Sequence, residues 1–218
     1  MMATQKPRPL GDVVQHTATE HIEPFYTNLS GDEKEYLWDY LQDGPFRNLS
    51  DFQAWMQGAI ASQGTIVYAI IPTDQQTTPD GAANVVGCAS YMNIDTDNRV
   101  LETGVLYSPK LHGTTAGTEV MFLMARHAFE TLGYRRYEWK CDALNAASFK
   151  AALRFGFQFE GTFRKHMIVK GRNRDTAWFS MVDNDWPQAQ LALQQWLDPS
   201  NFDESGRQRK RLEEFRKT

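Results

Sequence analysis

The stretch NAASFKAALRFGFQFEG, residues 145–161, decides how the chain is read. Asn145 and Ser148 open a short amphipathic helix, Gly156 stops it, and an apolar strand from Phe157 to Phe159 follows at once. This order sets Asn145 and Ser148 at a helix mouth, where side chains and unpaired backbone N–H groups meet a ligand.

On the N-terminal side, Arg136 to Cys141 has the pattern of a strand and Thr114 to Leu132 that of a helix. Val120, Leu123, Met124, His127 and Ala128 mark one face of that helix, and Gly133 ends it. Val100 to Tyr107 is a strand stopped by Ser108-Pro109. Val85 to Ile94 is another, with Gly87 expected at a bulge, and Thr65 to Ile71 a third. Polar residues 72–84 form a hairpin loop and Asp95 to Arg99 a turn. Helical spacing marks His21 to Asn28, Asp32 to Leu41, and Asp51 to Ser62 with Ser50 as its N-cap. On the C-terminal side, strands Phe157 to Arg164 and Asp175 to Val182 flank a turn at Lys170-Gly171-Arg172-Asn173. A helix from Gln188 to Leu197 and a charged, solvated helical tail complete the chain. Antiparallel elements precede a βαβα unit, which implies an α/β (α+β) fold around a mixed sheet. Residues 1–12 read as a flexible N-terminus, 13–187 as one domain that begins with a strand-like Val13-Val14, and 188–218 as a helical tail.

Composition narrows the function. Hydrophobic residues make up 41% of the chain and aromatics 12%, enough for a sizeable core. A net charge of −4 argues against a generic nucleic-acid binder. No apolar run is long enough for a membrane span, and the N-terminus lacks the apolar region of a secretory signal. Cys88 and Cys141 do not make a disulfide framework, and no Cys/His cluster has zinc-ligand spacing. A cytoplasmic protein without a metal, nucleic-acid partner or membrane partner is expected.

The segment Leu111 to Glu119 (LHGTTAGTE) joins the third strand to the long helix. Its small residues let a ligand approach the backbone, and the helix dipole adds partial positive charge, which suits a pyrophosphate. An ordinary helix cap has the same composition.

The pattern Asn-x-x-Ser, helix, Gly-Phe-x-x-Glu-Gly resembles the last motif of the GCN5-related N-acetyltransferase superfamily, in its RimJ/RimL-like branch. The element order is similar to that superfamily over roughly residues 10–187. The resemblance implies a central sheet of about six to seven strands with helices on both faces. It implies that two parallel strands, here Val100–Tyr107 and Arg136–Cys141, splay apart to admit acetyl-CoA. The backbone of Val105, Leu106 and Tyr107 then holds the pantetheine arm, with Asn145 beside it. The superfamily's phosphate pattern is Gln/Arg-x-x-Gly-x-Gly/Ala. His112 stands at its first place, Thr115 at the first small place and Gly117 at the second, so two of three positions depart. The implied phosphate wall is His112, Gly113, Thr114, Thr115, Ala116, Gly117 and Thr118.

Acetyl transfer to an amine needs a proton acceptor for the amine, donors for the carbonyl oxygen and a donor for the leaving thiolate. Many members of the superfamily place a Tyr seven residues after the Asn; Ala152 stands there in this chain. Ser148 is therefore the leaving-group candidate, and a helix-start Ser bonding its own backbone is the other reading. Asn145 is equally a plain N-cap by residue type. Glu102, in Leu101-Glu102-Thr103-Gly104, resembles the Glu of the superfamily's Glu-x-Gly element and is the base candidate; a structural ion pair is its other reading. His166 is the second base candidate. Trp139 and Trp178 read as core, and Trp38, Tyr40 and Phe46 as packing or as a wall of the acceptor site. The resemblance implies an N-acetyltransferase acting by direct attack in a ternary complex. Its acceptor is a small amine, an amino acid or a protein N-terminus, and a homodimer is common among such proteins. The alternative is the same fold kept as a CoA-binding sensor without turnover.

Overall fold

The computed structural model describes residues 21–73, 77 and 83–216. The expected flexible segment 1–12 and the strand-like Val13-Val14 lie outside them. Alternating burial builds the strands: along β4 (Arg136–Asp142) Tyr137, Trp139 and Cys141 are buried, whereas the residues between them are less so. Before it come α1 (Ile22–Leu29), α2 (Leu49–Ala61), β1 (Ile66–Ile70), β2 (Gly87–Asp95), β3 (Val100–Tyr107) and α3 (Thr115–Arg126). After it come α4 (Ala146–Phe155), β5 (Gln158–Val169), β6 (Arg172–Val182), α5 (Trp186–Leu197) and α6 (Leu212–Phe215). The six strands form one mixed sheet in the order β1-β2-β3-β4-β6-β5. Only β3 and β4 are parallel neighbours; the other pairs are antiparallel.

Helices cover both faces. On one, α1 and α2 bury Ile22, Phe25, Leu29, Phe52 and Met56 with Leu106 of β3. On the other, α3, α4 and α5 close over Tyr91, Leu101, Tyr137, Trp139 and Phe179. Trp186, Ala189, Leu193 and Trp196 of α5 join this second core, as does Leu212 of α6.

Several local expectations change. Asn48, not Ser50, caps α2: its Oδ1 accepts the Asp51 N–H at 2.9 Å, and the Ser50 hydroxyl donates to the same oxygen. The Asp32 segment is a 3-10 helix, Asp32–Trp38, rather than an α-helix. Gly87 lies in register, paired with Ile70 and Tyr107, and a Cβ there would meet the Leu106 carbonyl at 2.9 Å; the bulge falls between Met92 and Asp95, where Asn93 has φ 49°. α3 ends in a wider π-helical segment, His127–Thr131. Between β1 and β2, the described residues Thr77 and Ala83 form an antiparallel bridge. β5 runs on to Val169, and Lys170 and Gly171, both at positive φ, make the hairpin turn, so Arg172 and Asn173 are strand residues. Phe157 enters the core as expected, whereas Phe159 remains 47% exposed. The tail expected to be a solvated helix runs as a loop with turns as far as Arg211, and only then forms the short helix α6, whose Leu212, 1% exposed, returns to the core.

Candidate active site

The parallel pairing of β3 with β4 runs from Val100↔Arg136 to Thr103↔Trp139 and stops. Beyond it, Gly104 to Tyr107 stay paired with β2, and Lys140 to Asp142 with β6. The outer partners thus draw the two strands apart and open a cleft in mid-sheet. Backbone groups alternate in direction along a strand. Ser108 N–H bonds Val86 and the Leu106 carbonyl lies against Gly87, so Leu106 aims its backbone at β2. Val105 and Tyr107 consequently aim theirs into the cleft, where an amide-bearing ligand can satisfy them. Of the three residues expected to act through the backbone, these two face the opening and Leu106 does not.

The turn expected to bind phosphate is divided in the same way. Thr114 is the N-cap of α3, and its Oγ1 accepts the Gly117 N–H at 3.1 Å. Gly117 is buried, and a Cβ there would meet the Leu111 carbonyl at 2.7 Å, so this glycine serves close packing rather than a ligand. The Thr118 hydroxyl is also turned inward and accepts Arg154 Nη1 at 3.1 Å. His112, Gly113, Thr114 and Thr115 form the exposed lip, with Ala116 half-buried behind them. Thr115 and Ala116, in the first turn, direct N–H groups outward that the helix cannot use. The Tyr107 phenol donates to the Gly117 carbonyl at 3.0 Å; burial pushes its pKa well up, so it holds α3 against β3 as a neutral group.

At the mouth of the cleft, Asn145 Oδ1 accepts the Ser148 N–H at 2.9 Å. The cap reading of Asn145 is therefore present, and its amide nitrogen is the part left for a ligand. Ser148 Oγ lies 3.0 Å from Trp139 Nε1, on the α3/α4 face. Burial pushes the neighbouring Cys141 thiol up, while the Ser148 hydroxyl beside it pulls the other way.

Glu102 lies on the opposite face, 7% exposed. Its Oε2 accepts Asn93 Nδ2 at 2.7 Å and Lys140 Nζ at 2.8 Å. Lys140 also meets Glu138 Oε2 at 3.0 Å and stands 4.1 Å from the centre of the Trp178 ring. The ladder continues through Arg136, which bonds both Glu138 and Glu160. His166 adjoins the same face, with Nδ1 3.0 Å from Thr176 Oγ1 and its ring against Phe163 and Trp178. Thus Glu102 and His166 share one face of the sheet on either side of Lys140 and Trp178, while Ser148 serves the other. Across the same face Lys170 Nζ donates to the Trp38 carbonyl at 2.7 Å, tying the β5–β6 turn to the segment before α2. Outside α4, a cavity of about 500 Å³ is lined by Lys150, Arg154 and Glu213 among others.

The model of the acetyltransferase (GNAT) domain matches residues 13–158, more than half of the chain. The chain belongs to this family. A crystal structure of a GCN5-related N-acetyltransferase from Brucella melitensis aligns over 100% of both chains at 38% identity, with a TM-score of 0.86. One assigned to the same family from Chromobacterium violaceum is 40% identical over 79% of this chain and 87% of its own, with a TM-score of 0.70. YdaF of Bacillus subtilis, provisionally named a ribosomal N-acetyltransferase, is 27% identical over 103 residues, which are 47% of this chain and 56% of YdaF. The chain spans little more than half the length of the curated relatives it matches.

This GNAT domain also contains residues that sequence reasoning missed. Lys140, Asn93 and Arg154 carried no motif. The Glu102↔Glu138 register is what brings Lys140 beside Glu102, and that register is a tertiary fact. Among the described residues, no group of three or more His, Cys, Asp or Glu is placed to hold a metal, and no helix is long and apolar enough to cross a membrane.

Proposed function

We propose that this GNAT protein transfers an acetyl group from acetyl-CoA to a primary amine by direct attack within a ternary complex. The observation that carries the reading is the parting of β3 and β4 after Thr103 and Trp139, with Ser148 on one side of the opening and Glu102 on the other. Acetyl-CoA supplies an activated thioester carbonyl. The outward N–H groups of Thr115 and Ala116 suit its pyrophosphate, the backbone of Val105 and Tyr107 its amides, and the Asn145 amide nitrogen its pantetheine arm. Lys150 and Arg154 suit the charge of its nucleotide end.

The neutral amine forms the new C–N bond, the C–S bond breaks, and the electron pair leaves on sulfur. Glu102 takes the proton lost by the amine nitrogen, directly or through water, and His166 is the second group on that face able to do so. The Ser148 hydroxyl donates a hydrogen bond to the departing sulfur. None of these roles needs a covalent enzyme intermediate.

The acceptor is a small amine, an amino acid or a protein N-terminus, the last in keeping with a RimJ/RimL-like branch. The test is mass spectrometry of acetyl-CoA incubated with spermidine, single amino acids and peptides bearing free N-termini. An acetylated primary amine, formed only with enzyme present, is expected. Tight CoA binding with no acetylated product from any of these would favour a sensor instead.

A further inference from the structure

We infer that Trp139 is a positioning residue for the Ser148 hydroxyl, an inference that rests on the reading of Ser148 as donor to the leaving thiolate. An indole nitrogen can only donate, whereas a Ser hydroxyl both donates and accepts. At 3.0 Å, therefore, Ser148 Oγ accepts from Trp139 Nε1, and its own proton is left for another partner. The Ser148 backbone N–H is already held by Asn145 Oδ1, so main chain and side chain are each fixed by one bond. A hydroxyl that accepts one hydrogen bond is polarised into a better donor of the next.

The position of Trp139 strengthens the argument. It is the last residue of β4 paired with β3, so the residue at the apex of the cleft also orients the hydroxyl at its mouth. Its ring is buried and braced by Phe155 and Phe157, at centroid distances of 6.2 and 5.7 Å, which leaves little freedom to swing.

The test pairs Trp139→Phe with Ser148→Ala, separately and together. Activity is measured with whichever of spermidine, the single amino acids or the peptides turns over fastest. In the native background, Trp139→Phe is expected to lower kcat about tenfold, the scale of one hydrogen bond to a developing charge, and to change KM for acetyl-CoA less than about twofold. In the Ser148→Ala background the same change should alter kcat by less than about twofold, because the bond through which Trp139 acts is gone. Replacing Trp139 by benzothienylalanine, which keeps the bicyclic shape and lacks the N–H, should reproduce the loss even if the Phe variant folds poorly. A readout independent of turnover is the ¹⁵N–¹H indole resonance of Trp139, expected to move upfield in Ser148→Ala. Multiplicative losses in the double variant, or native kcat with benzothienylalanine, would overturn the inference while leaving Ser148 as donor. An unchanged kcat in Ser148→Ala alone would remove the reading beneath it.

Discussion

Lys140 Nζ lies 2.8 Å from Glu102 Oε2, so the base candidate is held in a buried ion pair. Asn93 donates to the same oxygen, which leaves Oε1 to meet a proton from the acceptor. The ion-pair reading of Glu102 is thus present and leaves room for the proposed catalytic one. Glu102→Gln removes the proton acceptor and should lower kcat by about 10²-fold with acetyl-CoA affinity retained, as measured by steady-state kinetics and calorimetry. Lys140→Met keeps the aliphatic stem but leaves the Glu102 charge without its cation, while Glu138 keeps Arg136, and should cost about 3 kcal/mol in urea unfolding.

The role proposed for Ser148 has a separable signature. Ser148→Ala is expected to reduce kcat about tenfold and to leave KM for acetyl-CoA within about twofold. A change confined to KM would assign Ser148 to cofactor binding.

The turn proposed to bind phosphate can be tested through its backbone. Thr115 is the first residue of α3, a position that tolerates proline, and Thr114 before it is extended (φ −94°, ψ 161°), as a pre-proline residue must be. Thr115→Pro therefore removes one outward N–H without breaking the helix. The expected result is an unchanged melting temperature and CoA affinity weakened about tenfold. Unaltered affinity in calorimetry would exclude that N–H from phosphate binding.

Acid stability should carry the mark of Glu160. Its bonds to Arg136, with a further one from Ser180, lower its pKa from 4.5 to about 2. Because the folded value is depressed, the stabilisation is fully present above about pH 4.5 and is lost as pH falls toward 2. With its side chain 41% exposed, the pair is screened and is worth about 0.5–1 kcal/mol. Urea unfolding of wild type and Glu160→Gln should differ by that amount at pH 6 and converge near pH 2.

The C-terminal tail is expected to be structural. Leu212 belongs to the core shared by α3, α4 and α5. Leu212→Ala should cost about 2–5 kcal/mol by chemical denaturation, far more than a solvated helix would show.

Much of this was legible in the chain. The β3 boundaries, the helix between Asn145 and Gly156, and the order of elements follow from periodicity and from a glycine that takes φ 103° to end α4. What escaped depends on contacts distant in sequence. Gly117 fits the ligand pattern, yet the Leu111 carbonyl claims the space around it. The sequence pattern puts Trp139 in the core, but only folding reveals that its N–H finds Ser148. The tail looked solvated because its charges outnumber its apolar residues, and a single Leu212 decides otherwise.

The central claim, amine-dependent turnover across the β3–β4 cleft, is tested most directly by following thiol release from acetyl-CoA with and without a primary amine. The account predicts release that rises with amine concentration, falls about 10²-fold in Glu102→Gln and about tenfold in Ser148→Ala. Release that is independent of amine, or equal in wild type and both variants, would contradict it.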